Sequence, residues 1–295
     1  MYSAFLFAFA GRYTFVLRAA LAVVVVGILG NQSIAQSPAT QPAITLTRIQ
    51  SEKIPESSGV VASRQYPGVY WTINDSGNPP SLFAMNRTGE ILAEFPVKRS
   101  NRDWEDLSID DAGHLYIAEI GNNGGRFGQV AVYRVDEPDP HRAGQVVEPV
   151  VVNAEWQLRF PGKPFDAESL FILKDTAYII AKYLDGRAAE LYTFDVTVKD
   201  EIQILRKFAD LPLHAPVTGA AISPDATRVA VVTGLGVYLF RIDKDVATIN
   251  AHPPAYVVFL RPSSEAVCFD ADGILTTSED KTIAFFDLDL FRFDE

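Results

Sequence analysis

The chain has 295 residues, enough for one large domain, and its composition, 48% hydrophobic and 21% charged, fits a sequence that buries a sizeable core. A net charge of −11 argues against a general nucleic-acid binder, which needs a basic surface. The single cysteine, Cys268, excludes an intramolecular disulfide, a CxxC redox pair and a thiolate zinc site.

The first 35 residues read as a signal peptide. They carry Arg12 and Arg18 and no acid, then an apolar run over 19–30 that is too short to span a bilayer but suits a leader core. Ser33 and Ala35 supply the small residues of a cleavage site. An uncleaved anchor is the alternative, because residues 2–10 are also apolar. Removing the two leader arginines leaves 24 basic against 37 acidic residues, a mature charge of −13. Residues 36–42 read as a linker and 43–295 as one domain. The expected location is periplasmic or secreted, with no membrane span after cleavage and membrane attachment if the leader stays. The absence of disulfides suits a bacterial exported protein.

From residue 43 the sequence repeats. Five short segments share a polar or small residue, a small or acidic residue, then apolar positions. They are Ser57-Ser58-Gly59-Val60-Val61, Trp104-Glu105-Asp106-Leu107-Ser108, Ala167-Glu168-Ser169-Leu170-Phe171, Val217-Thr218-Gly219-Ala220-Ala221 and Ser264-Glu265-Ala266-Val267-Cys268. Their second positions lie 47, 63, 50 and 47 residues apart. Each segment is followed by turn residues and a second strand: 69–73, 115–120, 177–181, 229–233 and 274–277. Third strands are expected at 81–85, 130–135, 190–194, 237–242 and 282–286. Fourth strands are expected at 91–97, 150–160, 202–211 and 255–260. The fifth unit has no room for a fourth strand, but 43–49 is an unpartnered strand-like segment that would complete it and close the ring, removing the sheet edges. The pattern predicts an all-β, five-bladed β-propeller, a monomer. A β-sandwich is the competing fold, and six blades the competing count, because the 63-residue unit carries an extra loop at 136–148.

In a propeller, equivalent positions of the first strands face one axis. Ser58, Glu105, Glu168, Thr218 and Glu265 would therefore converge as three carboxylates and two hydroxyls. Such acids repel unless a cation neutralises them, and calcium, a hard ion with several oxygen ligands, is the simplest expectation. Solvation of the acids, or pairing with Arg and Lys, is the alternative. Loops on one face would carry Asn74, Asp75, Ser76, Arg99, Arg102, Asp103, Glu119, Asn122, Asn123, Arg126, Lys163, Asp166, Lys182, Arg261, Ser278 and Glu279. Asn74, Asp75, Asn122, Asn123, Arg126, Lys182 and Glu279 are the candidate ligand-binding residues, and Asp75, Asp103 and Glu119 the candidate bases. The four histidines have no metal-ligand spacing, and neither a Gly-x-Ser-x-Gly elbow nor a His-Glu-x-x-His motif is present. The residues alone leave a binding platform and a calcium-dependent hydrolase of phosphoesters or other esters both open.

The one-per-blade order Ser, Glu, Glu, Thr, Glu is similar to the central calcium site of the calcium-activated nucleotidases (apyrases), five-bladed propellers in which the fourth position is Ser rather than Thr218. Their nucleotide-binding residues have no counterpart here. The chain also resembles a family of exported bacterial propellers of unsettled function. That resemblance rests on Glu56-Ser57-Ser58-Gly59, Trp71-Thr72-Ile73-Asn74-Asp75-Ser76-Gly77, Asp103-Trp104-Glu105-Asp106, Glu119-Ile120-Gly121-Asn122-Asn123, Asp166-Ala167-Glu168-Ser169-Leu170 and Ser264-Glu265-Ala266-Val267. Glu119 departs from the aspartate usual in that family, and Asn122-Asn123 from Asp-Asn. The resemblance implies fold and export and brings no reaction.

Overall fold

A computed structural model describes residues 43–141 and 148–293. The expected leader and linker, and part of the 136–148 loop, lie outside the described residues.

The chain enters with β1 (Ile44–Arg48). Blade one follows as β2 (Ser57–Ala62), β3 (Val69–Asn74), β4 (Ser81–Asn86) and β5 (Ile91–Pro96). Blade two is β6 (Asp106–Ile109), β7 (His114–Glu119), β8 (Gln129–Asp136) and β9 (Val152–Arg159). Blade three is built from β10 (Asp166–Leu173), β11 (Thr176–Lys182) and β12 (Ala189–Asp195), after which come β13 (Ile202–Ile204) and β14 (Arg206–Leu211). Blade four is β15 (Val217–Ile222), β16 (Arg228–Thr233), β17 (Gly236–Arg241) and β18 (Ala255–Val258). Blade five holds β19 (Ser264–Phe269), β20 (Gly273–Ser278) and β21 (Thr282–Asp287).

Each blade is an antiparallel meander, and the innermost strands β2, β6, β10, β15 and β19 pack one on the next, with β19 returning to β2. The molecule is a five-bladed β-propeller, so neither the sandwich nor the six-bladed alternative holds. β1 pairs antiparallel with β21, from Ile44 opposite Phe286 to Arg48 opposite Thr282, and supplies the outer strand of blade five. The Asp287 carboxylate accepts the Ala43 N–H at 2.7 Å beside that seam.

Five apolar clusters fill the five gaps between blades. Trp71, Leu82, Trp104 and Leu115 lie between blades one and two; Tyr116, Trp156, Leu170 and Phe194 lie between two and three. The remaining clusters close three on four, five on one and four on five. Because a neighbour covers both faces, strands such as β3 are buried at every position, which explains the lack of polar–apolar alternation.

One expected strand divides. The 202–211 segment breaks at Leu205, which is buried in the gap between blades two and three and donates its N–H to the Arg159 carbonyl at 2.8 Å. Before the break, β13 runs parallel to β9 and adds a fifth strand to blade two; after it, β14 becomes the outer strand of blade three. Anchoring Leu205 in the gap hands the chain from one blade to the next.

Candidate functional site

The inner strands share an irregularity that no repeat pattern shows. Four of them carry one extra residue relative to their partner, between Ser57 and Gly59, Ala167 and Leu170, Val217 and Gly219, and Ser264 and Ala266. In blade two, Glu105 donates its N–H to the Ala118 carbonyl, although Ala118 is already paired with Asp106. Ser58, Glu105, Glu168, Thr218 and Glu265 thus all sit at or within a β-bulge. A bulge bends its strand and re-aims a side chain, which lets one residue per blade leave the blade face.

Four of these five, all but Thr218, line an axial cavity of about 150 Å³ together with Glu56, Asp75, Asn123, Lys182 and Glu279. That volume is below the roughly 300 Å³ at which pockets for drug-sized molecules begin, and it suits an ion with several waters. The two hydroxyls knit neighbouring blades: Ser58 donates to the Trp104 carbonyl at 3.0 Å and Thr218 to the Ser264 carbonyl at 2.7 Å.

The carboxylates crowd beyond the expected three. Asp75, Asp103 and Glu105 can each place an oxygen within 4.8 Å of one another, and so can Glu105, Asp166 and Glu168. Glu105 belongs to both groups. Asp103 and Asp166 precede Glu105 and Glu168 by two residues, so a twice-repeated Asp-x-Glu, the signal that could have placed all four in the ion site, was already visible in the sequence. Gly121 makes room for the first group: a Cβ there would fall 2.1 Å from Glu105 Oε1 and 2.5 Å from Asp103 Oδ2.

The electrostatic consequence is a set of acids whose affinity for protons is raised. Burial first, then the charges of Glu168, Asp75 and Asp103, raise Glu105 well above the usual carboxylate range. Burial, with Glu168 nearby, pushes Glu265 up to about 9. Glu168 rises to about 7, burial outweighing the opposing effect of Lys182. Asp75 is brought to about 6 by burial, with Asp103 and Glu56 adding to it, and burial also raises Asp103. Lys182 ion-pairs with Glu168 Oε1, and the other oxygen of Glu168 is buried without a hydrogen-bond partner. A cation fits this arrangement, because it would fill that vacant acceptor and displace the protons.

The remaining predicted residues divide. Asp75, Asn123, Lys182 and Glu279 reach the cavity. The Asn122 side chain staples its own loop, donating to the Phe127 carbonyl at 2.9 Å and accepting the Phe127 N–H at 2.8 Å, while its backbone N–H goes to Asp166. Asn74 is buried and donates to the Lys53 carbonyl at 2.8 Å. Arg126 lies outside the axial cavity and acts on Asp103 by its charge. Glu119 also stands outside the cavity, buried, with Arg102 Nε at 3.3 Å. Among the described residues no helix is long and apolar enough to cross a membrane.

No protein-family model matches the chain, and no characterised protein matches it in sequence. Among solved structures it is similar to virginiamycin B lyase from Staphylococcus aureus, with 11% identity, TM-score 0.46, and coverage of 84% of this chain and all of that one. A catalytically inactive form of that lyase, crystallised with quinupristin, gives 12% identity and TM-score 0.39 over 79% of this chain and 66% of its own. A nidogen/laminin complex gives 11% identity and TM-score 0.46 over 81% and 78%.

Proposed function

We propose that the protein is an exported propeller, residues 43–295 after its leader, in which the axial acids hold a calcium-type cation and the surrounding face binds a ligand. The observation that carries this is the buried, unpartnered Glu168 oxygen within a ring of crowded carboxylates. Calcium is favoured over magnesium, because it accepts more oxygen ligands in looser geometry. Glu105, Glu168 and Glu265 would supply charge, with Asp75, Asp103 and Asp166 as further donors and Ser58 and Thr218 as structural neighbours. Export is supported by the apolar leader and by the resemblance to exported propellers.

The experiment is a thermal melt after EDTA treatment and again with calcium restored, with metal analysis of the untreated protein. An unchanged melting temperature and a metal-free protein would sink the ion reading.

A second reading, a calcium-dependent ester hydrolase, is favoured by Asp75. Its carboxyl, brought to about 6, is suited to take a proton near neutral pH, next to acids that would hold the ion. A screen of phosphoesters, lactones and sugar esters with calcium present tests it. Turnover abolished in Asp75→Asn would favour the hydrolase, and absence of turnover across the screen would leave binding.

A further inference from the structure

The axial acids do not converge on one point. Their oxygens form two sets of three, Asp75–Asp103–Glu105 and Glu105–Asp166–Glu168, each within 4.8 Å, and only Glu105 belongs to both. Calcium holds its oxygens at about 2.3–2.6 Å, so ligands on opposite sides of one ion lie at most about 5 Å apart. One ion therefore fills one set and leaves two acids of the other unanswered.

The four outer acids each spend part of their carboxylate on the protein. Asp75 Oδ1 accepts the Ser76 N–H, and Asp103 accepts from the Ser76 side chain. Asp166 Oδ1 accepts the Asn122 N–H at 2.8 Å, and Glu168 Oε1 takes the Lys182 ammonium. Glu105 differs. It is 5% exposed and lines the axial cavity, and neither of its carboxylate oxygens has a hydrogen-bond or ion-pair partner among the described residues. A buried carboxylate with both oxygens free is costly unless cations answer it.

Charge and space allow two ions. Six carboxylates line the cavity, those of Glu56, Asp75, Glu105, Glu168, Glu265 and Glu279, against the single ammonium of Lys182. Of the five negative charges left when all are ionised, one divalent ion answers two and a second answers two more, so the site is not overfilled. Arg102 and Arg126 act on Asp103 by charge, but neither lines the cavity, and Arg102 lies 3.3 Å from Glu119. The cavity of about 150 Å³ has room for several waters, and paired metal ions sit about 3.5–4 Å apart.

We propose that the axis holds two divalent cations: the ring ion in Glu105–Asp166–Glu168, where the vacant Glu168 oxygen lies, and a second in Asp75–Asp103–Glu105. Glu105 bridges them, one oxygen to each. The second site rests on the ring reading and adds an ion to it.

Calorimetric titration of calcium into the full chain, stripped with EDTA and then freed of chelator, tests it, with native mass spectrometry as the count. The parent should bind two calcium ions per chain. Asp103→Asn should bind one and keep a calcium-responsive melt. Glu105→Gln should weaken both ions at least tenfold. Asp75→Asn, which keeps an acceptor for the Ser76 N–H, should repeat the loss of one ion if Asp103→Asn loses its circular dichroism spectrum. One ion per parent chain, with a calcium-responsive melt, overturns the second site and leaves the ring reading intact. Two ions retained in both Asp103→Asn and Asp75→Asn overturn its location. A parent that binds no calcium overturns the ring reading and the second site together.

Discussion

The carboxylate of Asp106, on the inner strand of blade two, accepts the backbone N–H of Leu170 on the inner strand of blade three, at 2.7 Å. Its other oxygen takes the N–H of Leu107 at 2.8 Å, and the N–H of Ala220 in blade four is also directed at it. Asp106 is fully buried directly after Glu105, so one side chain ties three blades together just beneath the acid ring. Asp106→Ala should therefore destabilise the fold by about 3 kcal/mol, because it strands buried N–H groups as well as losing their bonds. Asp106→Asn, which keeps one acceptor oxygen, should lose less. Urea unfolding of the two variants beside the parent checks the order.

The acid ring predicts an opposite response with and without calcium. At a calcium concentration a hundredfold above Kd, binding should add about 2.7 kcal/mol, or roughly 5–10 °C in melting temperature for a domain of this size. Glu105→Gln and Glu168→Gln should abolish most of that rise. In EDTA Glu105→Gln should melt no lower than the parent, because burial and its acidic neighbours already disfavour the charge it gives up, whereas Glu168→Gln also loses the Lys182 ion pair and should melt lower. Differential scanning calorimetry in both conditions reads both signs, and a Glu105→Gln variant that melts lower in EDTA would count against crowding of the carboxylates.

The ring's proton affinity fixes the pH dependence. Glu265 shifts from an ordinary 4.5 to about 9 and Glu168 to about 7, so in the ion-free protein the folded state holds protons that the unfolded chain releases. Stability from these groups is complete below about pH 4.5 and declines as the pH rises towards 9. The EDTA-treated protein should thus lose melting temperature across that window. Calcium should restore more at pH 8.5 than at pH 6, since it must displace those protons. Melts at half-unit pH steps would show the two curves diverging, and parallel curves would argue that the acids are not the ligands.

Gly121 gives a test that leaves every acid in place. Its backbone is not in the left-handed region, so alanine is conformationally acceptable, yet the added methyl would overlap the Glu105 and Asp103 carboxylates. Gly121→Ala should keep its circular dichroism spectrum and lose at least tenfold in calcium affinity by titration. Unchanged affinity would place the ion away from Glu105.

The blade framework was legible because each unit repeats the same order of apolar runs and turn residues, and because 43–49 had no partner except the short fifth unit. The division at Leu205 was hidden: 202–211 has uniform strand character, and only the gap between blades two and three makes Leu205 a pivot. The bulges were hidden too, since an extra residue is defined by its partner strand and leaves no mark on its own. The sequence places Asn122 on the ligand-binding face by its loop position, and only the folded loop shows its side chain bonded to the Phe127 backbone. Asp103 and Asp166 belong to the face by loop position, while the matching Asp-x-Glu spacing carries them down to the ring.

The pairing of β1 with β21 sets an order of events in time. The first described strand to emerge in synthesis has to wait for one of the last, more than two hundred residues later, before blade five acquires its outer edge. Contacts this distant along the chain make closure slow and late. Until then β21 offers an unsatisfied edge to any extended chain nearby. A chain interrupted between residues 270 and 281 would have every inner strand but no β21 to receive β1, and would remain open at that seam.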